Sequence, residues 1–236
     1  MVNDVSITND ESSYSEINED LNGAETIKFL NNCKKIARRI NSSHSGSLGL
    51  HPAVYFYSQL GRHKIASFYA ITALILEFEN NHKVSYHKFT KVREKFELIL
   101  LDYDFLIQQI VRKYRSSLKA YPHVKDFYLD VIEALTEGKS NESVIEEILK
   151  KPNFSYLTSI ANVDSNTTGI KFSNKTKSAI FIKEALTKAL KCKICNGYIH
   201  TNSMTFDHII RKEDGGSGES SNGQLAHPFC NTTVKN

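Results

Sequence analysis

At 236 residues the chain has room for one medium domain or two small ones, and 40% hydrophobic with 24% charged residues is an ordinary soluble, globular balance. That excludes collagen-like, wholly disordered and membrane-spanning chains; the longest apolar stretch, Phe68 to Leu76 broken only by Thr72, falls well short of the ~20 residues a spanning helix needs. The net charge of +4 hides an uneven distribution: residues 1–25 carry seven acids and no base, the remaining 211 therefore carry +11, and residues 166–236 hold ten Lys/Arg against five Asp/Glu. A basic body suits a polyanionic partner, and an ordinary solvated surface accounts for it equally well. Residues 1–25 contain no Lys, Arg or long apolar run, so no signal peptide is read there and a reducing, cytoplasmic setting is the expectation.

In chain order, residues 1–23, rich in Asn, Ser, Asp and Glu, read as a flexible acidic tail. From Glu25 to Ile40 the positions Ile27, Leu30, Cys33, Ile36, Ala37 and Ile40 recur at helical spacing, which predicts a buried face with Cys33 as a small hydrophobe on it. On the same helix Lys34–Lys35 and Arg38–Arg39 can reach phosphate but read first as a solvated face. A Gly/Ser break over Ser42 to Gly49 precedes Pro52, which suits the first turn of a helix to about Leu60. Tyr55, Phe56 and Tyr57 are expected in the core. Gly61 ends that element, and His63 to Glu79, Lys88 to Leu101, Phe105 to Tyr114 and Val124 to Leu135 continue as helices until Gly138, after which Asn141 is expected to cap a short one. Residues 24–151 are thus predicted to be an all-α domain of six or seven helices. Its histidines (His44, His51, His63, His82, His87 and His123) lack ligand spacing and read as surface or loop residues. Polar, turn-rich 152–172 reads as a linker. Ser173 then caps a helix to about Leu190, with Ala179, Ile182, Ala185, Leu186 and Leu190 on its buried face.

The chemistry lies beyond it. Cys192-Lys-Ile-Cys195 puts two thiols on one tight turn, and His227-Pro-Phe-Cys230 repeats the two-residue gap after 31 intervening residues. Together they make a Cys₃His set suited to structural Zn²⁺; a redox CxxC would call for a βαβ pattern that is not present around it. Between the half-sites come Phe206-Asp207-His208-Ile209-Ile210, alternating enough for a short strand, then Gly215, Gly216 and Gly218, and Asn222; Asn231 directly follows Cys230.

Taken together, Cys-x2-Cys, Asp-His, Gly-Gly, Asn and His-x2-Cys-Asn resemble the HNH endonuclease family over residues from about 191 to 236. The resemblance implies a mainly α chain whose residues 173–236 form a helix followed by a small ββα-metal module. Its first strand would leave the zinc knuckle, its second would carry Asp207 and His208, and a closing helix would start near Pro228. By similarity His208 is the general base, Asp207 and Asn231 hold one Mg²⁺ or Mn²⁺, and Asn222 braces the loop. Arg211, where many relatives have Pro, and Lys212 are candidate phosphate contacts, and His227 stands where many members have Cys. His200 and Glu213 are nearby spares that read as surface residues. DNA is the implied partner, RNA the alternative substrate, and a non-catalytic zinc-module adaptor the reading from another class. A fainter likeness of Gly46-Ser-Leu-Gly-Leu-His-Pro-Ala-Val-Tyr-Phe-Tyr57 resembles the C-terminal halves of bacterial proteins that join a ParB-like NTPase to a nuclease in restriction or phage defence. It implies protein-partner binding through the helical region; an oligomer is a separate alternative, because a single HNH site cuts one strand at a time.

Overall fold

The computed structural model describes residues 20–80, 83–160 and 171–235. Of the predicted acidic tail only residues 20–23 fall within it, and residues 161–170 of the predicted linker lie outside it. The chain is mainly α. Helices α1 (Ala24–Ile40), α2 (Pro52–Tyr55), α3 (Ile65–Asn80), α4 (Lys83–Asp102), α5 (Asp104–Tyr114), α6 (Ser117–Thr136), α7 (Asn141–Lys150) and α8 (Asn174–Thr187) precede an antiparallel pair, β1 (Thr205–His208) and β2 (Gly223–Ala226). Among the described residues no helix is long and apolar enough to cross a membrane.

The helical core forms around α6. Its stripe Ala120, Val124, Phe127, Tyr128, Val131 and Leu135 is buried, and it packs on α3, α4, α5 and α7. The hydroxyl of Ser116 caps it by accepting from the Lys119 N–H. α3 buries residues on nearly every side, from Ala66 to Phe78, as a helix with little polar face must. Part of the predicted linker joins this core: Pro152–Phe154 forms a single turn, and Phe154 and Leu157 are buried.

Several elements depart from the sequence expectation. α1 buries only Ile36 and Ile40; Ile27, Leu30, Ala37 and Cys33 are exposed, because the helix meets α3 through its C-terminal part alone. α8 buries none of its residues, and Phe181 is 73% exposed. Of the predicted face, Ala179, Ile182 and Leu186 are half-buried, Leu186 against the helical core, while Ala185 and Leu190 are exposed. α2 stops at Tyr55, with Tyr55 and Phe56 buried but Tyr57 exposed. Ser140, not Asn141, caps α7, its hydroxyl accepting from Ser143 N–H. Of the histidines read as surface or loop residues, His123 stacks on Tyr114 at 3.7 Å and His51 is half-buried against Tyr198 and His200.

Helical and C-terminal parts meet at a buried ion pair. Arg93 and Glu97, one turn apart on α4 and each 1% exposed, pair at 2.7 Å. Arg93 also donates to the carbonyls of Leu48 and Gly49, while Glu97 accepts from the Tyr55 hydroxyl at 2.8 Å and the Tyr198 backbone N–H at 2.7 Å. Segment 47–50 is buried between α4 and the C-terminal module, where Ser47 bonds the Ser203 hydroxyl and accepts from the Phe229 N–H. Gly49 has φ +59°, and a Cβ there would lie 2.7 Å from the His227 ring and 2.8 Å from Ser203 Oγ. Phe229 completes the joint by inserting into the helical core beside Tyr86. Burying such a ring contributes about 1.5–3 kcal/mol.

Removing one charge from the pair leaves the other buried and uncompensated, so Arg93→Ala or Glu97→Ala is expected to cost about 3–5 kcal/mol in urea denaturation. Replacing both, as Arg93→Met/Glu97→Leu, should not restore stability, because two carbonyls and the Tyr198 N–H would lose their partners.

Candidate active site

The four predicted metal ligands converge. Cys192 and Cys195 lie on a turn closed by bonds from Cys192 N–H to the Gly197 carbonyl and from Asn196 N–H to the Cys192 carbonyl, with Asn196 at φ +55°. His227 and Cys230 sit at the start of the closing helix, residues 228–234, whose Asn231 N–H bonds the His227 carbonyl. All four side chains are buried, and their ligand atoms lie within 4.8 Å of one another. The Nδ1 of His227 is 3.4 Å from Cys195 Sγ and 3.8 Å from Cys230 Sγ, while Nε2 is 3.0 Å from the Tyr198 carbonyl. That carbonyl can only accept, so Nε2 carries the proton and Nδ1 the lone pair. Arg93 agrees: its guanidinium, which can only donate, lies 3.2 Å from Nδ1.

Electrostatics favour the ligating forms of His227 and Cys192. Burial, and then Arg93, hold the His227 imidazole below its usual range and therefore neutral. Without metal the Cys195 and Cys230 thiols donate to Cys192, which falls far below the usual thiol range; Cys195 is pushed up to about 12 and Cys230 higher still. Three thiols so close can share only one negative charge until a cation arrives. Soft donors, burial and a carbonyl behind the imidazole fit zinc.

The catalytic candidates lie on the sheet beside this cluster. The structure corrects the predicted strand order: Asp207 and His208 belong to the first strand, β1, and the second follows the loop and Asn222, while the knuckle has only an isolated bridge between Lys191 and Tyr198. That bridge is brief because the CxxC turn uses the intervening backbone for its own bonds. Alternation on β1 turns Asp207 inward, buried, and leaves His208 half-buried on the other face. Opposite His208 in the register stands Gly223, whose missing side chain leaves the imidazole open. Asp207 Oδ2 accepts from Gln224 Nε2 at 2.7 Å and pairs with Lys235 Nζ at 2.8 Å.

Asn222 is buried and brackets the loop: its Oδ1 accepts from Ile210 N–H, and its Nδ2 donates to the Ile210 and Ser217 carbonyls at 3.0 and 2.8 Å. Asn231 reaches β1 from the closing helix, its amide 3.4 Å from both the Phe206 carbonyl and Thr205 Oγ1. Arg211 donates to the Lys235 carbonyl, tying the loop to the end of the closing helix, and Lys212 is exposed. Glu213 is exposed, and His200 is half-buried, its ring nitrogen accepting from Asn202 N–H. Residues 192–236 match the family model of the HNH endonuclease. The match covers the last fifth of the chain, and the zinc cluster, β1, β2 and the closing helix are this HNH module. No curated protein and no solved structure matches the chain, and nothing supports the fainter ParB-linked likeness of residues 46–57.

Sequence reading missed Gln224 and Lys235, which hold Asp207, and Arg93 with Glu97, which hold the module. Arg93 carried a signal, standing four residues after Phe89 and three before Phe96, hence on the buried face of α4. Metal analysis of the purified chain should find one zinc, and Cys195→Ser should lose it. The variant should also lose near-ultraviolet ellipticity around Phe229 and Tyr198 while keeping its far-ultraviolet helical signal.

Proposed function

We propose that the chain is a metal-dependent endonuclease that hydrolyses DNA phosphodiester bonds at β1. The observation that supports this reading is a family-matched module that carries Asp207 and His208 as neighbours on one strand, with Asn231 bonded to that strand from the closing helix. His208 is the general base. Its imidazole, half-buried and facing a glycine, takes a proton at a ring nitrogen from the attacking water.

The donor set at Asp207 fits a small hard cation. The carboxylate is buried and its two bonds, from Gln224 and Lys235, both fall on Oδ2, so Oδ1 is the oxygen left to offer a cation, which would share the carboxylate with the Lys235 ammonium. Asp207 and the Asn231 amide would hold Mg²⁺ or Mn²⁺, which keeps several waters at so sparse an oxygen site. Bound there, the ion would neutralise charge building on the phosphate. Asn222 positions the loop between β1 and β2 without touching the reacting atoms, and Lys212 is placed to meet a phosphate oxygen. The zinc site has no open position in this scheme and serves folding alone.

Plasmid nicking with Mg²⁺ or Mn²⁺ tests the assignment. His208→Ala should lower the rate by on the order of 100-fold or more, the usual worth of a general base, with zinc content unchanged. Equal cleavage by wild type and variant would remove His208 from this role, and no cleavage by either would favour the adaptor reading. Matched DNA and RNA duplexes run in competition decide the sugar.

A further inference from the structure

We propose that a basic groove on α1 carries the nucleic-acid backbone flanking the bond cut at β1, so that the helical region binds substrate. This rests on the nuclease reading above. The groove, of ≈ 300 Å³, is lined by Lys34, Lys35, Arg38, Arg39 and His44. Lys35 and Arg39 are already engaged with Glu79, at 3.1 and 2.6 Å, and hold α1 on α3. Lys34 and Arg38 stand one turn apart, both exposed, and among the described residues no carboxylate pairs with either. The favourable field at a helix C-terminus accounts for cations in the last turn, such as Arg38, but not for Lys34 a turn earlier.

The groove's far wall decides what it is for. Arg39 draws the loop over the groove by donating to the Gly46 carbonyl at 2.6 Å, and His44 turns its own Nδ1 inward to accept from Gly46 N–H. The other side of this loop holds the closing helix: Thr232 Oγ1 donates to the Ser45 carbonyl at 2.9 Å, and Phe229 N–H to the Ser47 carbonyl at 3.0 Å. Asn231 lies between those two residues. Four residues of loop, 44–47, therefore separate the candidate catalytic helix from two cations with which no carboxylate pairs among the described residues. A strand cut at β1 and continuing over the closing helix meets Lys34 and Arg38. No Phe, Tyr or Trp lines the groove, so it grips phosphates without a platform for stacking bases.

The test is fluorescence anisotropy of a labelled DNA duplex, titrated without divalent metal across a salt series, on the full chain. Each phosphate contact contributes about 0.9 to the slope of log affinity against log salt. Lys34→Ala/Arg38→Ala should thus flatten the slope by about 2 and weaken binding at moderate salt by on the order of tenfold. Zinc content should stay the same, and Lys177→Ala/Lys183→Ala on α8 should leave the slope unaltered. An unchanged slope and affinity in the groove variant overturns the proposal, as does an equal loss in the α8 variant. If His208→Ala still abolishes nicking in that case, the nuclease reading stands without the groove. If wild type binds with a slope that depends on Lys34 and Arg38 but does not nick, the groove stands and the catalytic assignment falls. If wild type neither binds nor nicks, both fall.

Discussion

The arrangement of this protein depends on one buried ion pair. Taking Arg93 and Glu97 out of water costs several kcal/mol per ion, and their mutual attraction alone rarely offsets that. Here the cost is met by saturation, because the two side chains also bond the carbonyls of Leu48 and Gly49, the Tyr55 hydroxyl and the Tyr198 N–H. These partners come from α2, the loop before it and the zinc knuckle. A displacement of any of them would strand a buried polar group, so the pair sets where the C-terminal module sits on the helices.

The module needs that support. Its own buried cluster is small, three of its members being the cysteines Cys192, Cys195 and Cys230 with only Ile199 and Ala226 beside them. Four ligands poised for zinc stand in for the missing apolar core, and Phe229 borrows a place in the helical one. Arg93 reaches both systems, since its guanidinium also lies against Nδ1 of His227. The strand with Asp207 and His208 is thereby held from three sides: by β2, by the closing helix and by a loop that Asn222 brackets. The C-terminal module is thus held by contacts with residues much earlier in the sequence.

Residues whose role is local were legible before the fold was known. The CxxC and HxxC spacings are properties of single turns, and the Asp207–His208 pair and Asn231 are adjacent to them or to each other. Ser173 caps α8 for reasons contained in four consecutive residues. Periodicity misled where burial depends on a neighbour: α1 repeats apolar positions as a core helix would, yet Ile36 and Ile40 are its buried residues and Cys33 is exposed. The strand order failed for a related reason, because pairing requires that a second strand face β1, and only β2, across the glycine-rich loop, does so.

The sequence by itself determined the chemistry at hand: four zinc-type ligands in two half-sites, a carboxylate and imidazole side by side, and a helical majority ahead of them. Tertiary structure alone decided that Lys235 and Gln224 hold Asp207, that Arg93 and Glu97 join the two parts, and that a Gly/Ser break becomes a shared wall between α1 and the closing helix. The division has a physical cause. Ligand sets and caps are satisfied within a turn, whereas a buried charge or an exposed apolar face is defined by residues dozens of positions away. Their approach follows from the packing of the whole chain.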